Sequence, residues 1–207
     1  MEMLLYSLLI LNCSSVSFPS LKKLGLDSII YLGGDKYVNR LLSNCPVLED
    51  LHVDRCLEVN VVIFTVRVPS LKVLGMFNFT EKDRDDVAYG VFIDTPSVET
   101  LNILDRTDGF CVLKNEMPNV ATVDIDLTYN SHSGNILGCI SQVEDLWLSL
   151  SSSQDAYPSG CVFHRLVDFT LCDVRSSGWT YLCVWSEIHL NYEFSKLSST
   201  IALRKIN

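Results

Sequence analysis

One short phrase recurs along the chain, and it constrains the fold more than any other feature. Its clearest copies are Phe18-Pro19-Ser20-Leu21-Lys22-Lys23-Leu24-Gly25-Leu26, Cys45-Pro46-Val47-Leu48-Glu49-Asp50-Leu51-His52-Val53 and Val68-Pro69-Ser70-Leu71-Lys72-Val73-Leu74-Gly75-Met76. Thr95 to Ile103 and Met117 to Ile125 repeat it, and Val143 to Leu148 and Leu166 to Leu171 repeat it without the proline. Taking the first apolar residue of the triplet as a marker gives positions 21, 48, 71, 98, 120, 143 and 166, with steps of 27, 23, 27, 22, 23 and 23 residues. A period of that size means a stack of similar units, each too small to bury its own apolar face.

Within each copy the apolar residues alternate with polar ones. Period two is the pattern of a strand with one face buried. Stacking then gathers Leu24, Leu51, Leu74, Leu101, Val123, Leu146 and Phe169 into one buried row. Leu26, Val53, Met76, Ile103, Ile125, Leu148 and Leu171 form the next. Steps of 20–29 residues around Leu-x-x-Leu-x-Leu are those of a leucine-rich repeat. The expected fold is therefore an α/β leucine-rich-repeat solenoid, with a curved parallel sheet on the concave side and short helices and loops on the convex side. The prolines at 19, 46, 69, 96 and 118 suit entry into a strand, where the missing N–H costs nothing. Between strands, Val38, Leu41 and Leu42 have helical spacing, with Asp35 placed to cap a helix after a turn at Gly33-Gly34. Val59 to Val66 reads as extended, and Glu81 to Asp86 as a charged loop. A partial eighth copy, Leu5-Tyr6-Ser7-Leu8-Leu9-Ile10 ending on Cys13, starts the array as a cap. Residues 1–174 thus form the array and 175–207 an irregular C-terminal segment.

Composition narrows the function classes. Apolar residues make up 48% and charged residues 20% of the 207, enough to bury a core. A formal net charge of -9 argues against nucleic acid, whose binding rests on clustered Lys and Arg. No apolar run reaches the length of a membrane span. Leu4 to Leu11 resembles the apolar heart of a secretory signal, but Glu2 stands where basic residues belong and the same leucines fit the repeat. The sequons at Asn12 and Asn78 matter only for a secreted chain. The eight cysteines form no Cys-x-x-Cys pair, which argues against zinc and for buried free thiols in a reducing, intracellular setting. His52, His132, His164 and His189 are scattered, and no constellation for catalysis or for a cofactor is present. Asp124 and Asp126 share a face, but two carboxylates fall short of the ligands calcium takes. The expectation is a non-enzyme without a cofactor.

Alternation sends the residues between the core positions to the concave face. Those columns hold Asp27, Asp50, Asp54, Asp124, Asp126, Asp145 and Asp168 against a single Lys23, with Phe77 and Trp147 among them. An aromatic anchor in an acidic field fits a basic protein partner, because aromatics dominate interface energies and charge steers the encounter. The candidate contact residues are His52, Asp54, Phe77, Asn102, Asp124, Asp126 and Trp147.

The phrase Leu41-Leu42-Ser43-Asn44-Cys45-Pro46-Val47-Leu48-Glu49-Asp50-Leu51-His52-Val53-Asp54-Arg55-Cys56 resembles plant F-box/LRR proteins, many of which carry a C-terminal FBD region. Val68 to Leu74 and Phe18 to Ser28 share the likeness, which covers about residues 1 to 174. The resemblance implies repeats that select a substrate for a ubiquitin ligase, while a separate F-box docks on a Skp-type adaptor. No F-box stands ahead of Leu4, so the resemblance does not extend to adaptor binding, and Trp179 to Asn207 loses the repeat where FBD strands are expected. The leading expectation is a protein-interaction module. Its alternatives are a truncated remnant without a partner and a secreted leucine-rich-repeat domain.

Overall fold

The computed structural model describes residues 1–6, 10–11, 17–55, 60–78, 90–106, 109–127, 134–150 and 162–172. In chain order the elements are β1 (Glu2–Tyr6), β2 (Ile10–Leu11), β3 (Lys23–Asp27), β4 (Ile30–Tyr31), α1 (Asp35–Ser43), β5 (Asp50–Arg55) and β6 (Ile63–Val66). There follow β7 (Val73–Asn78), β8 (Gly90–Ile93), β9 (Thr100–Asp105), β10 (Phe110–Leu113), β11 (Thr122–Leu127), α2 (Gly134–Cys139), β12 (Asp145–Leu150) and β13 (Asp168–Cys172).

The copies marked by Leu21, Leu48, Leu71, Val98, Val120 and Val143 open on the same turn. The marker N–H donates to the carbonyl three residues earlier, as in Leu21 to Phe18 at 3.2 Å, Leu71 to Val68 at 3.1 Å and Val143 to Ile140 at 3.1 Å. Where a proline is present it occupies the second position of that turn, for which its fixed φ is suited. It therefore stands before the strand rather than at its entry. The turn reverses the chain, drops the marker into the core and delivers the next residues to the sheet. Leu21, Leu48, Leu71, Val98, Val120 and Val143 are all within 1% of complete burial.

The sheet so formed has eight strands in the order β1-β3-β5-β7-β9-β11-β12-β13, every neighbouring pair parallel. Register aligns Leu24 with Leu51, Leu74, Leu101, Val123, Leu146 and Phe169, the first expected row. Leu26 through Leu148 align as the second, and their side chains are buried. The first copy differs from its expected placing. β1 pairs with β3 through Met3↔Leu24 and Leu5↔Leu26, so Met3 and Leu5 are the inward residues and Ile10 belongs to a different sheet.

The other side of the core is more strand than helix. β6, β8 and β10 form a parallel sheet, and β2 pairs with β4. Phe64, Val66, Val91, Ile93, Cys111 and Leu113 point from that layer into the core. The helix expected near Asp35 is present and buries Val38, Leu41 and Leu42. Its cap is not Asp35. Gly34, at φ 62°, takes the cap position, and Gly33 at φ 113° completes the turn, a backbone that glycine adopts without strain. The Asp35 carboxylate instead accepts the backbone N–H groups of Val62, at 2.9 Å, and Ile63, at 3.3 Å, tying the helix to the next repeat. Asn60 and Tyr31 make a reciprocal pair of the same kind: the Tyr31 N–H donates to Asn60 Oδ1 at 2.9 Å and Asn60 Nδ2 to the Tyr31 carbonyl at 2.6 Å. Val59–Val66 was expected to be extended, and β6 lies within it. Glu81–Asp86 lies outside the described residues, as does everything after Cys172.

A third inward position is polar. Arg55, Asn78 and Asp105 end β5, β7 and β9 at 3–4% exposure, where alternation places an apolar residue. Asn78 Nδ2 donates to Asp105 Oδ2 at 3.0 Å, and the Arg55 guanidinium donates to the Val61 carbonyl and lies 5.8 Å from the Phe64 ring. Cys45, Cys111 and Cys139 are buried free thiols, and burial pushes the Cys111 thiol far up. Cys13, Cys56, Cys161 and Cys183 lie outside the described residues, as do His132 and His189.

Truncating an inward leucine leaves a cavity between repeats, so Leu101→Ala should cost about 2–5 kcal/mol in urea denaturation. Thr100→Ala, on the opposite face of the same strand, should stay within about 0.5 kcal/mol. Equal costs would contradict the placement of the core.

Candidate binding face

A parallel sheet is ordinarily covered on both faces. In this one the described elements cover a single face, and the other carries three rows of outward side chains. Along the sheet the entry row reads Lys23, Asp50, Val73, Thr100, Thr122, Asp145 and Asp168, and the middle row Gly25, His52, Gly75, Asn102, Asp124, Trp147 and Thr170. The exit row reads Asp27, Asp54, Phe77, Leu104, Asp126 and Ser149.

All seven candidate residues lie on this face. His52 is exposed, and Asp54, Phe77, Asn102, Asp124, Asp126 and Trp147 are half-buried. Register makes direct neighbours of Asn102, Asp124 and Trp147, and of Asp54 and Phe77, while Leu104 separates Phe77 from Asp126. The His52 and Phe77 rings meet at a centroid distance of 4.7 Å, inclined by 31°. Gly75 permits that pairing. A Cβ there would lie 2.9 Å from His52 Nδ1 and 3.0 Å from Phe77 Cε2, so any side chain would part the rings. Ser149 departs from its column, being buried at 3% exposure.

The face carries more positive charge than its columns suggest. Lys23 is paired with Asp50 at 3.4 Å, and Arg106 reaches Asp126 at 3.9 Å from just beyond the end of β9. Alternation could not place Arg106, because it follows the last strand residue. Val73, at 39% exposure, Leu104 and, from β1, Leu4 add apolar surface to this face outside the seven.

Three carboxyls of this face are in an unfavourable setting. Partial burial raises Asp54, with repulsion from Asp27 adding to it and His52 opposing it. Partial burial and then Asp126 raise Asp124. Asp145 is raised by desolvation and by Asp168 and Glu144. Off the face the direction reverses. The hydrogen bond from Lys22 lowers Glu49, and that from Lys114, at 2.8 Å, lowers Asp94. Among the described residues no three His, Cys, Asp or Glu side chains are arranged to share a metal ion, and no helix is long and apolar enough to cross a membrane.

Residues 7–123 match the family model described as "FBD-associated F-box protein At5g56370, LRR repeats". The chain belongs to this family. It is 49% identical over 159 residues to the Arabidopsis thaliana protein named "Probable FBD-associated F-box protein At1g32375", covering 77% of this chain and 37% of that one. It is 39% identical over 167 residues to "F-box/FBD/LRR-repeat protein At5g56420" of the same plant, covering 81% of this chain and 39% of that one. The chain thus spans less than two fifths of the length of these relatives. No solved structure matches it. The family accounts for the repeat and the parallel solenoid.

A carboxyl whose pKa is higher folded than unfolded binds more protons in the native state, so it costs stability as pH rises above the unfolded value of about 4. Asp54→Asn and Asp124→Asn should therefore melt above the parent at neutral pH. The gain should shrink toward zero as pH falls to about 4, in thermal scans across that range. A loss at neutral pH would mean these carboxylates are held by favourable contacts instead.

Proposed function

We propose that the open face of the sheet binds a basic partner protein, and that the chain acts as a non-enzymatic substrate-recognition module in an intracellular ubiquitin-ligase setting. The observation carrying this reading is an open sheet face on which Phe77 and Trp147 stand among uncompensated aspartates. Half-buried aromatics offer contact area at low entropic cost, and like-charged carboxylates gain most when a cation meets them. The names of both relatives carry the F-box term, and one of them the leucine-rich-repeat term, which supports the ligase setting. Docking on a Skp-type adaptor belongs to an F-box, and no described element of this chain supplies that surface.

The test begins with affinity capture and proceeds to a purified partner measured by calorimetry. Phe77→Ala and Trp147→Ala should each weaken binding by about tenfold or more, the loss expected of an aromatic anchor. Phe92→Ala, on the outer layer, should leave affinity within about twofold. Loss confined to Phe92→Ala would move the binding surface to the other side of the solenoid.

A further inference from the structure

The charges on the open face are divided into two groups. Asp27, Asp50 and Asp54 project from β3 and β5, and Asp124, Asp126, Asp145 and Asp168 from β11, β12 and β13. Between them, β7 and β9 present Val73, Gly75, Phe77, Thr100, Asn102 and Leu104, without a charge. Each group includes one internal cation pair, Lys23 with Asp50 and Arg106 with Asp126, and each retains carboxylates beyond it. Asp54 and Asp27 are directly opposite in register, as are Asp145 and Asp168, so the repulsion within each group comes from the sheet itself.

Strands in a sheet lie about 4.8 Å apart, so the three steps from β5 to β11 separate the two acidic groups by about 14 Å. An extended chain advances about 3.3–3.6 Å per residue and covers that distance in about four residues. Three intervening residues then lie over β7 and β9, against Phe77 and Leu104.

We propose that the occupant of this face is an extended segment of a partner protein with two basic positions four residues apart and apolar residues between them. This rests on the reading of the open face as the binding surface, and adds the spacing that the occupant must have. One cationic site would meet the Asp27/Asp54 group and the other the Asp124/Asp126 group. The carboxylates would give up their mutual repulsion on binding, and salt would screen the contact.

The probe is a fluorescent peptide, Arg-Leu-Pro-Leu-Arg, whose proline holds the linker extended. Two companions carry one and seven apolar residues between the two arginines. By fluorescence anisotropy at low salt the first should bind at least about tenfold more tightly than either companion, because only it meets both groups at once. Neutralising either group, as Asp27→Asn with Asp54→Asn or Asp124→Asn with Asp126→Asn, should abolish that preference, with urea midpoints confirming that the variants fold. Equal affinity for all three peptides, or a preference that survives both double variants, overturns the proposal. If the purified partner still requires Phe77 and Trp147 while the peptides show no spacing preference, the binding face stands and the two-site reading falls. If the partner ignores Phe77 and Trp147 as well, both fall together.

Discussion

The register between neighbouring repeats holds this structure together, and one carbonyl in each repeat sets it. The carbonyl of Lys22 accepts the N–H groups of both Glu49, at 2.8 Å, and Asp50, at 2.9 Å. Glu49, Lys72, Glu99, Ala121 and Glu144 do the same for the repeat that follows each of them. These doubly accepting groups stand just after the marker, so they align turn with turn before the strands begin. A slip of one residue would carry the inward leucines to solvent and the open-face aspartates into the core. The open face and the core are therefore fixed by the same contact. Ion pairs between these same positions, Lys22 with Glu49 at 2.9 Å and Lys72 with Glu99 at 3.9 Å, reinforce the edge but are exposed and contribute little.

Why so much of the sheet was legible in the sequence follows from this. Strict alternation over three inward positions, repeated at a nearly constant step, leaves one face for Leu24 and Leu26 and the opposite face for Gly25 and Asp27. No long-range information is needed for that assignment. Arg55, Asn78 and Asp105 resisted it because their satisfaction comes from other parts of the chain. Asn78 is paired with a residue 27 positions away, and Arg55 with a carbonyl in the connection that follows it. A local pattern shows the parity of such residues without showing whether parity will bury them. Asp35 failed for a related reason: its sequence context permits a helix cap, while the partners it took belong to the next repeat.

The back of the solenoid was less legible because its only requirement is to return the chain across the core. After β3 the return is β4 followed by α1, after β5 it is β6, and after β11 it is α2. The return through β4 and α1 accompanies a step of 27 residues between markers, and those through β6 and α2 steps of 23. Each buries a few apolar residues from segments whose periodicity is too short to separate strand from helix. In the middle of the array β-branched and aromatic residues such as Phe64, Val66, Val91 and Ile93 favour strands, and three successive returns then pair as a sheet.

Carboxylates in this chain divide by what they do for the fold. Glu49 and Asp94 sit beside lysines that hold their pKa values down, so they stabilise the native state above the acid range. On the open face Asp54, Asp124 and Asp145 are pushed the other way, by desolvation and by the neighbouring carboxylates of Asp27, Asp126 and Asp168. The leucine ladders beneath them need no such charge, since any polar residue would satisfy the alternation. Negative charge gathered where it costs stability, beside two aromatic rings left half in water, is what the proposed occupant would meet. On that proposal the uncharged interval over β7 and β9 is as informative as the aspartates: it would separate two points of attraction by a distance that the sheet holds fixed, and a rigid separation lets charge select among partners instead of merely attracting them.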